Sequence, residues 1–275
     1  MNEPDRLTDR RQLLRNRARA TAMEAPATFL LEDTALELQE RLNEVNRSFK
    51  SPAIVTGFPD FWANFLPNAR IVADSDVLEL PEQSCDLVIH ALSLHWADDP
   101  VGQLIQCRRA LKPDGLFLGT LFGGQTLAEL RSALAEAEVQ QTGGLSPRVA
   151  PMAEIRDLGA LLQRAGFALP VADNMPRNVT YSDTFSLMRD LRAMGEGNAL
   201  SRRPRKPANK SLFQGLSAIY QENFGTSDGR IPATFHVITL TGWAPAENQQ
   251  KPLKPGTAQH SLAEALKTAE IKIPD

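Results

Sequence analysis

The sequence predicts an α/β fold in which a doubly wound, mostly parallel sheet carries a helical insertion. Three observations lead there. Short apolar or β-branched runs alternate with helical stretches, the pattern of βαβ units. The segment Cys85–Leu92 is apolar almost throughout, as in a strand buried on both faces. Two helical patterns, 183–194 and 209–224, then break the alternation before a last strand, and they read as a cap over the sheet's carboxyl-terminal edge.

The elements follow in order. Residues 4–24 form a basic helix, and apolar residues at helical spacing place a second at 28–46. Pro52 introduces the β-branched run 53–56, closed by Gly57. Another extended run, 70–73, ends at Asp74, and 85–92 is the next strand. The helix at 101–111 is stopped by Lys112-Pro113-Asp114-Gly115. A strand at 116–122 leads to helix 126–139, broken by Gly143-Gly144, and to helix 153–165, capped by Gly166. A short strand at 167–171 precedes the two cap helices, and 234–243 alternates as the final strand. The chain thus divides into a helical segment at 1–50, an α/β core at 51–180, the cap at 181–230, the final core strand at 231–244 and a polar, proline-bearing flexible tail at 245–275.

With 275 residues, 42% of them hydrophobic, the chain can bury a large core without staples. A net charge of −3 argues against general nucleic-acid binding, and the clusters Arg6–Arg19 and Arg202–Lys206 read as solvated faces. No apolar run approaches the ~20 residues of a membrane span. Glu3, Asp5 and Asp9 among the amino-terminal arginines argue against a presequence, so a cytoplasmic protein is expected. Cys85 and Cys107 read as small core residues. The four histidines, His90, His95, His236 and His260, form no metal spacing, so no metal is expected.

Ligands of doubly wound sheets sit at the carboxyl ends of the strands. That rule singles out Gly57, Asp74, Ser75, His90, Ala91 and Trp96 for a cofactor, His95 for catalysis as a base or steering group, and Gly123 and Gly124 for an open loop facing substrate. For each there is a plainer reading: Asp74 as a turn cap, the His95-Trp96 pair as packing, Gly123-Gly124 as an ordinary connection.

Several stretches carry a resemblance. Ala73-Asp74, Cys85–Val88, Leu92-Ser93-Leu94-His95-Trp96 and Arg109–Leu116 are similar to the middle of class I S-adenosylmethionine (SAM) methyltransferases, which have a Rossmann-like sheet, and to the malonyl-carrier-protein methyltransferases. Phe122–Arg131, Gly143–Arg148, Asp157–Gly159, Arg164–Phe167, Met188–Asn198 and Thr241–Trp243 resemble the mitochondrial complex I assembly factor 5 family and its alphaproteobacterial relatives. The resemblance implies a methyltransferase fold, a SAM site, and a protein substrate or partner, a respiratory complex I subunit in which the family is associated with arginine hydroxylation. It also implies that Glu196 and Asn198 face the substrate.

The sequence departs from that pattern at the glycine loop. An acidic residue and a second glycine are expected where Val55 and Pro59 stand. Proline removes a backbone donor, and glycine is needed for close approach of a ligand. The interval from Gly57 to Asp74 is also too short for the full set of elements, as if one amino-terminal strand–helix unit were absent. The preferred assignment makes Asp74 the adenine-contacting residue of a third strand, with the ribose-binding acid lost; in the alternative, Asp74 ends a shortened second strand and takes the ribose role. An active SAM enzyme should keep an open cleft beside Gly57–Asp60, whereas a decayed one, serving as an interaction or assembly factor, should have it filled by Phe58, Phe61 or Trp62.

Overall fold

The sheet has six strands in the order β2-β1-β3-β4-β6-β5. The computed structural model describes residues 6–247 and Gln249, so most of the tail assigned to 245–275 lies outside the described residues. The strands are β1 (Pro52–Thr56), β2 (Arg70–Ala73), β3 (Cys85–Ala91), β4 (Leu111–Gly123), β5 (Ala168–Tyr181) and β6 (Ile231–Trp243). β1 to β4 run parallel, and β6 inserts antiparallel between β4 and β5.

Eight described helices surround it: α1 (Arg10–Thr21), α2 (Phe29–Val45), α3 (Pro59–Phe65), α4 (Pro100–Ala110), α5 (Ala128–Thr142), α6 (Ile155–Arg164), α7 (Thr184–Ala193) and α8 (Lys210–Phe224). β1 and β3 are buried almost end to end, as their unbroken apolar runs require. One core, on the side of α2, α5 and α8, contains Leu38, Leu130 and Leu216; the other, against α4 and α6, contains Leu104, Phe117 and Leu162. All these elements belong to one unit ending at Pro245.

The strand order corrects the assignment of Asp74. β2 pairs directly with β1, Ala53 opposite Arg70 through Thr56 opposite Ala73, and so occupies the second place of the doubly wound order. Among the described residues the strand that would lie outside it is missing. Asp74 therefore ends the second strand, as in the alternative assignment, and not a third. The spacing misled because α3 is only seven residues long and β2 only four. A crossover that short leaves the interval from Gly57 to Asp74 looking like a gap.

Candidate functional site

Two features lie side by side at the carboxyl ends of the parallel strands: a filled cleft and an open cavity. The cleft is bounded by Gly57 after β1 and Asp74 after β2. Asp74 is buried, and α1 reaches over it with two arginines. Arg17 Nη1 donates to both carboxylate oxygens, at 2.8 and 3.0 Å, and Arg10 Nη2 donates to Oδ1 at 3.0 Å and to the Asp74 carbonyl oxygen at 2.8 Å. The Arg17 side chain is only 3% exposed. Burial pushes the Asp74 carboxyl up, but the guanidinium charges of Arg17 and Arg10 outweigh it and hold the group below its usual range.

The arginine is pressed against the glycine. A Cβ on Gly57 would stand 2.1 Å from Arg17 Nη1 and 2.2 Å from its Cζ. Here the expectation of an aromatic plug is corrected: the space is filled, but by a cation from α1. Phe58 lies under Arg17, its ring centroid 5.5 Å from Cζ, and Trp62 is turned into the core. Arginine fits there because its planar head can stack on Phe58 while pairing with Asp74.

The signal for Arg17 was in the sequence. Leu13, Arg17 and Ala20 are the buried positions of α1, at the i, i+4, i+7 spacing of one helix face. An arginine in that register faces inward and needs an acid, so reading the whole basic cluster as solvated missed it.

The cavity lies beyond Arg17, beneath the cap, and has a volume of about 250 Å³. Its walls are largely apolar, among them Phe122, Leu130, Met188 and Phe235; His95, Trp96 and Glu196 form one polar end, and Arg148, which pairs with Glu138, and Arg192 also line it. Glu196 Oε2 accepts from Trp96 Nε1 at 2.7 Å and pairs with His95 Nε2 at 3.2 Å. The Phe122 amide points at His95 Nδ1 at 3.4 Å, which favours the tautomer that donates from Nε2 to Glu196. The Glu196 side chain is 11% exposed. Burial raises its pKa, but His95, Arg17 and the Trp96 hydrogen bond together hold it below the usual carboxylate value. Its Oε1 takes no hydrogen bond among the described residues.

Local backbone geometry sets this end. After β3, Leu92 takes a left-handed conformation (φ 41°), its amide held by Thr120 Oγ1 at 3.0 Å. That turn leads into the single 3-10 turn Leu94–Trp96, which delivers both rings to the cavity. Such a conformation costs a non-glycine residue about 1–3 kcal/mol and persists where the surroundings impose it. On the cap side, Gly195 has φ 78°, and a Cβ there would meet the Arg17 Cα at 3.2 Å. A Cβ on Gly197 would meet Asn16 at 3.3 Å, and Asn16 Nδ2 donates to the Gly197 carbonyl at 2.8 Å. The two glycines let α1 pass close by, and the residue between them turns its carboxylate to His95 and Trp96.

The other sequence-selected residues fall in different places. Asn198 lines the cavity and donates to the Pro147 carbonyl at 2.9 Å. Ser75 is exposed, its carbonyl receiving Gln103 Nε2. His90 and Ala91 are fully buried in β3, His90 Nε2 donating to Gln103 Oε1 at 2.7 Å. Gly123 and Gly124 do not line the cavity: a Cβ on Gly123 would meet Ile238 Cδ1 at 2.4 Å, and one on Gly124 would meet His236 Nδ1 at 2.7 Å. They are tight packing points between strands rather than an open loop. No group of three metal-binding side chains occurs among the described residues.

Whether SAM fits can be judged on these residues. The acid that ends the second strand is committed to two guanidinium groups, the glycine surface is covered by one of them, and Val55 and Pro59 replace the rest of the loop. In this arrangement they do not fit the cofactor.

Comparisons with known proteins bear on what the fold is. A family model described as a methyltransferase domain matches residues 31–119. The mitochondrial arginine-hydroxylase NDUFAF5 of Danio rerio is 39% identical over 207 residues, covering 75% of this chain and 64% of that protein. The Dictyostelium discoideum protein of the same name is 44% identical over 193 residues, 70% of this chain and 44% of its own length. A malonyl-[acyl-carrier protein] O-methyltransferase of Xylella fastidiosa is 35% identical over 184 residues, 67% of this chain and 59% of that protein. The chain spans at most 64% of the length of these relatives.

Proposed function

The chain is a class I methyltransferase-superfamily protein close to the NDUFAF5 arginine-hydroxylases, and from that premise we propose that it holds a protein-borne arginine side chain in the cavity beneath the cap, in the service of respiratory complex I assembly. The observation that carries this reading is Glu196. Its carboxylate is held ionised in a largely apolar cavity, one oxygen fixed by His95 and Trp96 and the other unpaired. A long aliphatic side chain with a cationic tip complements that arrangement, because apolar walls take the stem and the free oxygen takes the charge.

In this reading Glu196 binds and orients the guanidinium, while Trp96 and His95 position Glu196. The methyltransferase match supports descent from SAM enzymes, and the Arg17-filled cleft favours a protein that works without SAM bound there. Two unpaired, buried cysteines suit a reducing, cytoplasmic setting. No described helix is long and apolar enough to cross a membrane.

The test uses a glycine-flanked, end-blocked arginine peptide and its citrulline counterpart, which is nearly isosteric and uncharged. Titrations are followed by tryptophan fluorescence, since Trp96 lines the cavity. The arginine peptide should bind more tightly, and Glu196→Gln should weaken it about 10- to 100-fold, the worth of one charge-assisted hydrogen bond, with little change for citrulline. Equal binding of the two peptides, or a silent Glu196→Gln, would sink this reading.

A further inference from the structure

We propose that the cleft between Gly57 and Asp74 has become an internal guanidinium site whose resident ligand is Arg17, and that this occupancy shuts adenosyl ligands out. The inference concerns the chain's own contacts and does not depend on what the neighbouring cavity binds.

Arg17 takes both surfaces that a nucleoside would use. Its Nη1 engages both oxygens of Asp74, and its head covers the Gly57 Cα so closely that a Cβ there would lie 2.1 Å away. Arg17 Nε and Nη2 are buried without partners, so the guanidinium is held by Asp74 and by the Phe58 face, not by a wider polar network. A head satisfied at one side only would leave for water if α1 were loose.

Yet α1 is fastened at its amino-terminal end. Before it, Thr8 Oγ1 donates to the Trp96 carbonyl at 2.8 Å, the Thr8 amide to Asp98 at 2.9 Å, and the Asp9 amide to the Ala199 carbonyl at 2.7 Å. Arg203 and Arg205 both reach the Asp9 carboxylate at 2.9 Å. Within the helix Leu13 is fully buried. A ligand entering the cleft would have to break the Asp74 pairs and lift this helix, and no part of Val55 or Pro59 offers it a compensating hydrogen bond.

The experiment is a double-mutant cycle on the whole chain, read by thermal unfolding without ligand and by calorimetric titration with S-adenosylhomocysteine. Gly57 does not adopt a left-handed conformation, so its backbone tolerates alanine. Gly57→Ala should therefore lower Tm only because Arg17 is in the way, by about 4 °C or more. In an Arg17→Ala background the same change should cost little. Arg17→Ala should also raise affinity for S-adenosylhomocysteine at least about tenfold over the wild type. Arg17→Met, which keeps the bulk of the stem, serves if alanine prevents folding. Independently of any variant, hydrogen exchange should show the α1 amides protected like the core, and unchanged by millimolar S-adenosylhomocysteine. The proposal is overturned by a silent Gly57→Ala, by equal Gly57→Ala losses in both backgrounds, by a folded Arg17 variant with no gain in binding, or by micromolar binding to the wild type.

Discussion

Replacing Asp74 with asparagine isolates the worth of the cluster that closes the cleft. The change preserves shape and removes one charge. In the wild type the carboxylate accepts two hydrogen bonds from Arg17 and one from Arg10, and the Asp74 and Arg17 side chains are 4% and 3% exposed. Asparagine keeps one acceptor oxygen and turns an amide donor toward the guanidinium, so Arg17 is left charged, buried and facing a donor. Breaking a buried pair in this way costs about 3–5 kcal/mol. Arg10, with a side chain 19% exposed, recovers part of its share from water, which places the expected loss toward the lower figure. The assay is equilibrium denaturation by urea, with the midpoint shift read at constant slope. A companion variant, Asp74→Asn with Arg17→Met, removes both charges and should be more stable than Asp74→Asn alone. A loss below about 1 kcal/mol for Asp74→Asn would refute the reasoning, because it would put the pair in the range of a solvent-screened surface contact.

Two more outcomes follow from the same geometry. Burial drives the His90 imidazole below its ordinary pKa in spite of the Gln103 hydrogen bond. The unfolded chain then binds the proton more readily, so stability should fall as pH drops below about 6.5, by at most about 1.4 kcal/mol per pH unit; denaturation midpoints from pH 7.5 to 5 should show a shallower slope in His90→Asn, and an unchanged slope would assign the dependence elsewhere. Gly123→Ala should lower the denaturation midpoint while leaving arginine-peptide affinity in the surviving folded protein unchanged, because the added carbon strikes Ile238 and the Ala153 carbonyl outside the cavity; weakened binding at full stability would restore it as a substrate-facing residue.

Much of the fold was legible because the parallel strands are buried on both faces. β1 and β3 announce themselves as unbroken apolar runs, whereas Lys112–Gly115, read as the stop between helix and strand, falls inside the longer β4. β5 was not: the sequence suggests a short strand at 167–171, and the structure extends it to Tyr181. It lies at the sheet edge with alternate residues in solvent, where Pro170, Asp173 and Pro176 are tolerated because one row of backbone groups needs no partner. A rule built on apolar runs stops where Asp173-Asn174 breaks the run. In the site, His95 and Trp96 were found because strand ends are where such sheets bind ligands. The inward register of Arg17 can be read from Leu13 and Ala20, but its partner cannot, because Asp74 lies 57 residues away.

The segment Met194–Asn198 shows how the cleft and the cavity became one construction. Gly195 and Gly197 are needed by α1, which passes within 3.2–3.3 Å of where their side chains would be, and Glu196 between them is needed by the cavity. Arg17 stands between the two acids, paired to Asp74 and near enough to Glu196 to help keep it ionised. A ligand that displaced Arg17 would strip a positive charge from Glu196 as well as from Asp74. Closing the cleft therefore also places a fixed cation whose charge adds to the larger effect of His95 in holding the Glu196 carboxyl below its usual value. Whatever occupies that cleft, the Glu196 carboxylate keeps the hydrogen bonds of His95 and Trp96, which fix its direction into the cavity.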